Sequence, residues 1–319
     1  MEISHQPVMV DEVIQYLITI PDGIYVDGTV GTGGHSLEIC KRIAHKGKLI
    51  CLDIDKSSMH LVKERLSPFE DRIRIIKESY VALDRVLKRI GIDKVNGILL
   101  DLGLSSYQLE SSGRGFSFIR DEPLDMRMDE DRGAAASELV NNLSLERLQE
   151  LLWVNAQERW SKLIARAIVE ERRKRPITSS RQLALIIETT IPAKYRPRTR
   201  HPATKTFQAL RIAVNRELEN IADFLDKCPS LLVNSLLVKG GRVVVISYHS
   251  LEDRLVKQAF LQRKKENISP RKLPIFPITS PPLMKALIRK GLRPRHMEVT
   301  VNPRARSAIM RVAERTYNE

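Results

Sequence analysis

The feature that most narrows what this chain can fold into is a regular exchange of short apolar runs and helical periods between Ile24 and Leu102. Ile24–Gly28, Lys48–Ile54, Arg72–Ile76 and Val95–Leu102 read as strands. Lys48–Ile54, K-L-I-C-L-D-I, is apolar almost throughout, the pattern of a strand covered on both faces. Ser36–Ile43, Ser57–Leu66 and Val81–Ile90 are compatible with helices between those strands. Strands separated by helices predict a parallel sheet with helices on both faces. Upstream, Val10, Val13, Ile14 and Leu17 recur at helical spacing and predict an amphipathic helix feeding the first strand.

After Asp101 the pattern breaks. Leu104–Asp129 is rich in glycine, serine and charge, and is too long for an idle connection in a compact domain. Ala134–Asn142, Leu145–Val154 and Glu158–Lys174 then read as helices, the last with Trp160, Leu163, Ile164, Ala167 and Ile168 on one stripe. Ser179 or Ser180 caps a further helix, Arg181–Thr190. No strand pattern interrupts this region, so an all-helical insertion is expected over 109–200, inside a sheet domain made of 1–108 and 201–319. Alternation resumes with one long helix, Thr206–Asp223. Gly240-Gly241 is expected to turn into a strand, Arg242–Ser247, with a helix at Leu251–Arg263. Ser269–Pro282, with five prolines, reads as a loop. Glu298–Val301 and Ser307–Val312 read as two final antiparallel strands at an edge.

Composition excludes several classes. No apolar run approaches the roughly 20 residues of a membrane span. The first residues, M-E-I-S-H-Q-P-V-M-V-D-E, lack a basic segment followed by an apolar one, so no secretory signal is expected. Cys40, Cys51 and Cys228 have no C-x-x-C spacing. Neither a disulfide framework nor a zinc knot is expected, and a reducing cytoplasm fits. The net charge of +14 is concentrated. Thr189–Arg216 holds seven Lys/Arg and no acid, and Arg263–Arg311 holds thirteen with only Glu266 and Glu298. Those stretches carry +7 and +11, so the remainder sums to −4. Such localisation points to a phosphate-rich partner.

The chemistry-bearing residues gather at the carboxyl ends of the expected strands, where open parallel sheets bind ligands. Asp27 follows the first strand, Asp53 the second, Asp101 the fourth, and Ser247 with His249 the fifth. The turn after the first strand reads D-G-T-V-G-T-G-G-H and leads into a helix, an arrangement that brings a nucleotide-like ligand against backbone. Asp53 lies 19 residues after Gly34, near the spacing at which a carboxylate accepts both ribose hydroxyls of an adenosine. A pyrophosphate would be repelled by Asp27; the ammonium of an amino-acid moiety would not. The loop therefore favours S-adenosylmethionine over a nicotinamide dinucleotide. His5 and Gln6 precede the first helix, as exposed or capping residues or within reach of the glycine loop.

Longer motifs then carry a resemblance. H-Q-P-V-M at His5, V-D-G-T-V-G-T-G-G-H-S at Val26, L-D-I-D at Leu52 and D-L-G-L-S-S-Y-Q-L-E at Asp101 are four of them. R-G-F-S-F-I-R-D-E-P-L-D-M-R-M-D at Arg114, H-P-A-T-K-T-F-Q-A-L-R-I-A-V-N at His201, S-Y-H-S-L-E-D-R at Ser247 and N-P-R-A-R-S-A at Asn302 complete the set. Essentially end to end, the chain resembles the RsmH (MraW) family of bacterial 16S rRNA cytosine-N4 methyltransferases. The resemblance implies an α/β fold: a class I, Rossmann-like S-adenosylmethionine-dependent methyltransferase sheet with an inserted helical domain for substrate recognition. It implies methylation of N4 of one cytosine in the decoding region, at the P site, of 16S rRNA in the small ribosomal subunit, with no membrane and no metal. It places the cofactor at Gly33, Gly34, His35, Asp53, Tyr80, Asp101 and Gln108, with Tyr80 against adenine. The chain has Tyr107 where many relatives carry proline.

Most amino-methyltransferases place a D/N/S-P-P-Y/F loop after the fourth strand, and this chain has Asp101-Leu102-Gly103-Leu104 there. Asp101 is the positional counterpart of the catalytic residue, with a cofactor-holding role as the other reading. His249 is a second catalytic candidate, against a role as helix cap, and Tyr248 is a candidate for stacking on the target base. Lys194, Arg196, Arg198, Arg200 and Lys205, with Asn215, Arg304 and Arg306, are the candidate RNA contacts. Three other readings stay open on sequence: a DNA amino-methyltransferase, a catalytically idle ribosome-assembly factor, and a nicotinamide oxidoreductase.

Overall fold

The computed structural model describes residues 7–197, 200–233, 236–261 and 284–316. His5, Gln6, Arg198 and the expected loop Ser269–Pro282 lie outside the described residues. The chain divides into two compact units, Met1–Gly103 with Asn220–Glu319, and Leu104–Glu219. No described helix is long and apolar enough to cross a membrane.

The first unit starts with α1 (Val10–Leu17), β1 (Ile24–Asp27), α2 (Gly34–Arg42), β2 (Lys48–Asp53), α3 (Lys56–Leu66), β3 (Ile73–Lys77), α4 (Leu83–Arg89) and β4 (Val95–Asp101). The second unit holds α5 (Ser106–Glu110), α6 (Ala136–Asn142), α7 (Leu145–Ala156), α8 (Ser161–Lys174), α9 (Ser180–Thr190) and α10 (Thr204–Asn215). The chain then continues through α11 (Glu217–Val233), β5 (Leu237–Ser247), α12 (Ser250–Leu261), β6 (Met284–Ala286), α13 (His296–Val301) and β7 (Ile309–Arg315).

The seven strands form one sheet in the order β3-β2-β1-β4-β5-β7-β6. β1 to β5 are parallel; β7 runs antiparallel to β5 and β6. Strand order reverses between β1 and β4, the switch point at which such sheets leave a crevice. Register aligns the chemistry there: Asp27 stands opposite Cys51 and Leu99, Asp53 opposite Lys77, and Asp101 opposite Ile246. Successive side chains alternate between two cores. Val26, Ile50, Leu52 and Leu100 pack with Phe224 on one face, and Tyr25, Leu49, Cys51 and Leu99 pack with Val13 and Leu17 on the other.

Three sequence expectations for this region are corrected. Gly240-Gly241 does not turn into the strand but lies within β5. The pair absorbs a register shift, with Leu237 opposite Val95 and Arg242 opposite Gly97. Glu298–Val301 is helical, as part of α13, despite three β-branched residues in succession. Its Glu298 carboxylate accepts the Met9 N–H at 2.6 Å, a tertiary tie that outweighs local preference. The antiparallel partner on the outer side of β7 is Met284–Ala286 instead. The single helix expected over Thr206–Asp223 is two. Arg216, at φ 51°, ends α10 in a left-handed cap, with no glycine or proline to announce it.

The helical unit has its own core, with Leu148, Leu152, Ile164, Ile168, Leu183, Ile187, Phe207 and Leu210 buried together. On α8 the buried stripe uses Ala165 rather than Leu163, which is 39% exposed. The segment after Asp101 contains a short helix, α5, closed by a reciprocal cap. Ser105 Oγ accepts the Gln108 N–H at 3.2 Å, and Gln108 Oε1 accepts the Ser105 N–H at 3.0 Å. The irregular stretch that follows is braced rather than idle. Buried Arg114 donates to the carbonyls of Arg127 and Met128 at 3.0 and 3.1 Å. Asn215 accepts the Met128 N–H at 2.7 Å and donates to Met126 O at 2.8 Å.

Candidate cofactor and methyl-transfer site

The turn after β1 is shaped by its glycines. Gly28 lies where a Cβ would stand 2.5 Å from Leu100 Cδ2 and 3.1 Å from Tyr80 Cβ, so a larger residue would have to displace the Leu100 side chain. Gly33, at φ 80°, is the residue before α2, and no side chain caps that helix. The amide groups of its first turn therefore point out of the helix end with the positive end of the dipole.

Asp53 ends β2 and is fixed from two sides. Oδ2 accepts the Gly31 N–H at 2.8 Å and Oδ1 the Asp55 N–H at 2.9 Å. Each oxygen keeps a second lone pair. Burial pushes this carboxyl up to about 6, against the lowering effect of both amides. Tyr80 follows β3 in a single 3-10 turn and meets Phe224 edge-on, with ring centroids 5.7 Å apart.

Asp27 does something other than face a ligand. It is 2% exposed, with one oxygen accepting from Ser36 Oγ at 2.7 Å and the other from the Thr29 N–H at 3.2 Å. Burial raises its carboxyl, countered by the Ser36 hydrogen bond. The acid that remains partly accessible is Asp101, whose side chain is 21% exposed. The Tyr248 hydroxyl donates to its Oδ1 at 2.8 Å, and His35 Nδ1 lies 3.4 Å from its Oδ2. Thr29 Oγ1 accepts the Asp101 N–H at 2.6 Å, tying the end of β4 to the glycine turn. Tyr248 packs its ring against Gly103, where a Cβ would sit 3.1 Å from Cδ2. Burial and the Asp101 charge hold its phenol far above the usual range, so it stays a donor. On His35, Nε2 lies 2.8 Å from Val8 O, so both ring nitrogens face acceptors. Burial alone would lower the ring, but the Asp101 hydrogen bond and charge outweigh it and the net shift is upward.

His249 forms a reciprocal cap at the start of α12. Its Nδ1 accepts the Glu252 N–H at 3.4 Å, and Glu252 Oε2 accepts the His249 and Tyr248 N–H groups at 3.2 and 2.7 Å. That is the helix-capping arrangement, and Nε2 sits 3.2 Å from Glu252 Oε1. Burial pushes Cys40 up to about 11 and Cys51 well above its ordinary value, so neither offers a thiolate near neutrality.

In the helical unit, Gln108 is buried and its side-chain oxygen serves the α5 cap. Asn215 spends its amide on the Met126–Met128 turn and on Arg211 O at 2.9 Å, which makes it a brace. Arg196 donates to Ile191 O at 3.0 Å and approaches Glu188 at 3.5 Å, and Lys205 donates to Gln157 O at 2.9 Å. Lys194 and Arg200 are exposed. In the sheet unit, Arg304 and Arg306 are exposed on the turn Pro303–Ser307.

The sequence profile of the MraW methylase family matches residues 2–316. The chain belongs to that family. It is 44% identical over 314 residues to the ribosomal RNA small subunit methyltransferase H of Geotalea uraniireducens, covering 98% of this chain and 99% of the relative. The protein of the same name from Clostridioides difficile is 41% identical over 315 residues, 99% of this chain and 100% of the relative. That from Finegoldia magna is 43% identical over 317 residues, 99% of each. The chain is thus a methyltransferase.

The residues of the sheet unit suit S-adenosylmethionine as the methyl donor. Asp53 carries two open lone pairs of the kind a ribose diol needs. The uncapped start of α2 presents amide donors, suited to a carboxylate. What the sequence missed was the wiring of Asp101. Thr29, Ser36 and Tyr248 carry no motif that announces a tie to the acidic residues, and Tyr248 lies 147 positions from Asp101.

Proposed function

We propose that this chain methylates the exocyclic N4 of one cytosine in the decoding region, at the P site, of 16S rRNA, acting on the small ribosomal subunit in the cytoplasm. The observation that carries the reading is full-length similarity to relatives named for small-subunit ribosomal RNA methylation, at 41–44% identity. The choice of cytosine N4 rests on the motif resemblance, from D-L-G-L-S-S-Y-Q-L-E to S-Y-H-S-L-E-D-R.

In this reading Gly33, Gly34 and His35 lie along the methyl donor, Asp53 accepts its ribose hydroxyls, and Tyr80 covers its adenine. Gln108 is the remaining cofactor candidate that the motif resemblance implies. Bound S-adenosylmethionine supplies an electrophilic methyl on a sulfonium sulfur. The acceptor is a poor nucleophile, because the N4 lone pair is delocalised into the cytosine ring. Asp101 counters that by accepting an N4–H, which turns the nitrogen toward tetrahedral geometry and holds it in line for attack. Tyr248 and His35 are positioning residues: each engages one Asp101 oxygen, so the carboxylate keeps a fixed plane. The proton leaves N4 after transfer, through Asp101 or to water, and no strong base is required. His249 holds the turn that carries Tyr248. Lys194, Arg196, Arg198, Arg200, Lys205, Arg304 and Arg306 lie against phosphates, which position RNA without reading its bases. The helical unit is the substrate-recognition domain.

The test is transfer of labelled methyl from S-adenosylmethionine to purified small subunits, to naked 16S rRNA and to duplex DNA. Label in N4-methylcytidine of RNA supports the reading. Label on DNA, or none on any acceptor, removes it.

A further inference from the structure

We propose that the helical unit carries a stacking platform for an unpaired RNA base, formed by Tyr195 and Trp160, with Arg159 and Lys194 lying over its rings. The inference rests on the RNA-methylating reading above and names a contact within it. Trp160 precedes α8, and Tyr195 ends the 3-10 turn Ala193–Tyr195 that follows α9. Their ring centroids are 5.4 Å apart with planes inclined at 40°, and Trp160 is half-buried against the helical core, so it backs the Tyr195 ring. Tyr195 is 47% exposed. The Arg159 guanidinium lies over the Trp160 ring, 5.2 Å from its centroid, and 5.9 Å from the Tyr195 centroid, and Lys194 Nζ lies over the Tyr195 ring at 4.9 Å, so a stacking base takes the place of these flexible cations, which then turn to its phosphates.

The chemistry of the patch selects its occupant. Both cations are exposed, and among the described residues neither pairs with a carboxylate. The nearby acid, Glu158, is 4% exposed and turned inward, where it accepts the Trp160 N–H at 2.9 Å. Lys205 donates to Gln157 O, on the same connector that carries Arg159 and Trp160. Arg196, tied to Ile191 O and Glu188, holds the turn that presents Tyr195. The surrounding stretch, Thr189–Arg216, has seven cations and no acid. An exposed tyrosine backed by a half-buried tryptophan, with two cations free of carboxylates at its rings, suits a flat heteroaromatic ring carrying phosphates, and single-stranded nucleic acids are held by this combination. A paired base has both faces covered by its neighbours, so the platform selects unpaired RNA.

The experiment uses the full chain and a short labelled single-stranded RNA, with the same strand in a duplex as the comparison. Tyr195→Ala weakens single-strand binding about tenfold to a hundredfold, the range expected for loss of one stacked base, while Tyr195→Phe stays within about threefold. In a Trp153→Phe background Trp160 is the only tryptophan left of two, and its emission is quenched by the single strand more than by the duplex. Circular dichroism confirms that each variant is folded. Unchanged affinity in Tyr195→Ala, or an unmoved Trp160 emission on RNA binding, overturns the platform and leaves the methylation reading standing. An unaltered chain that neither binds RNA nor transfers methyl to it removes both.

Discussion

Replacing Asp53 with asparagine tests the cofactor geometry most sharply, because size is kept and only charge and one acceptor are lost. Asp53 holds Gly31 N–H on one oxygen and Asp55 N–H on the other, at 2.8 and 2.9 Å. Asparagine turns an NH2 toward one of them, donor against donor. That misfit weakens the fold whether or not cofactor is bound. Binding loses more: one ribose hydroxyl loses its charge-assisted bond, about 1.5–3 kcal/mol, and the other keeps a neutral one of about 0.5–1.5 kcal/mol. The net loss is about 2–4 kcal/mol, or about 30- to 1000-fold in Kd. A pH series adds an independent check. The free-protein carboxyl titrates at about 6 instead of 3.8, raised by burial. A raised value means that the proton is held more tightly, so the neutral acid prevails below about pH 6 and must lose its proton before the carboxylate accepts both hydroxyls of the diol. Affinity of the unaltered protein then falls as pH drops from 7 to 5, approaching tenfold per pH unit below the titration point, and the Asp53→Asn protein shows no such fall. Calorimetric titration with S-adenosylhomocysteine measures both. An Asp53→Asn affinity within threefold of the unaltered protein at pH 8, or a flat profile for the unaltered protein, would refute the assignment of Asp53 to the ribose.

Other substitutions separate positioning from structure. Tyr248→Phe removes the hydroxyl on Asp101 Oδ1, so turnover at saturating cofactor falls about tenfold or more, consistent with a lost bond to a charged group, while cofactor Kd changes less than threefold; unchanged turnover would free Asp101 from this support. His249→Ala removes the α12 cap, costs about 1 kcal/mol and lowers the melting temperature by a few degrees, with turnover within threefold; a hundredfold loss of turnover in a folded protein would return His249 to the reacting atoms. Asn215→Ala leaves the Met128 N–H and Met126 O without their partner and destabilises by about 1–3 kcal/mol in denaturant titration, with cofactor affinity unaltered; a loss of RNA binding without a loss of stability would make Asn215 a contact after all.

The first four strands were legible because a buried parallel strand leaves a continuous apolar run, as Leu49–Leu52 does, with all four side chains nearly or fully buried. The end of the chain was less legible for physical reasons. Val299, Thr300 and Val301 favour extended backbone in isolation, yet the Met9–Glu298 tie draws that segment into a helix. β6 is three residues long, too short to show a period. The break at Arg216 is carried by a left-handed residue that composition does not mark. In the site, positions were readable and partnerships were not. Asp27, Asp53 and Asp101 fall at strand ends by pattern alone. That Asp27 is spent on Ser36 and Thr29 while Asp101 stays partly open depends on which face each carboxylate takes, and register sets that face only after folding. Charge localisation pointed to phosphate, but it did not separate exposed Lys194 and Arg200 from Arg196, which also braces its own loop.

The central claim is the acceptor atom. It is tested most directly by mapping modified nucleosides along 16S rRNA isolated from cells with and without this gene. The account predicts N4-methylation of one cytosine at the P site of the decoding region, present with the gene, absent without it, and restored by the intact protein but not by Asp101→Ala. The same methylation pattern in both cells, or a gene-dependent methyl on another base, would contradict it.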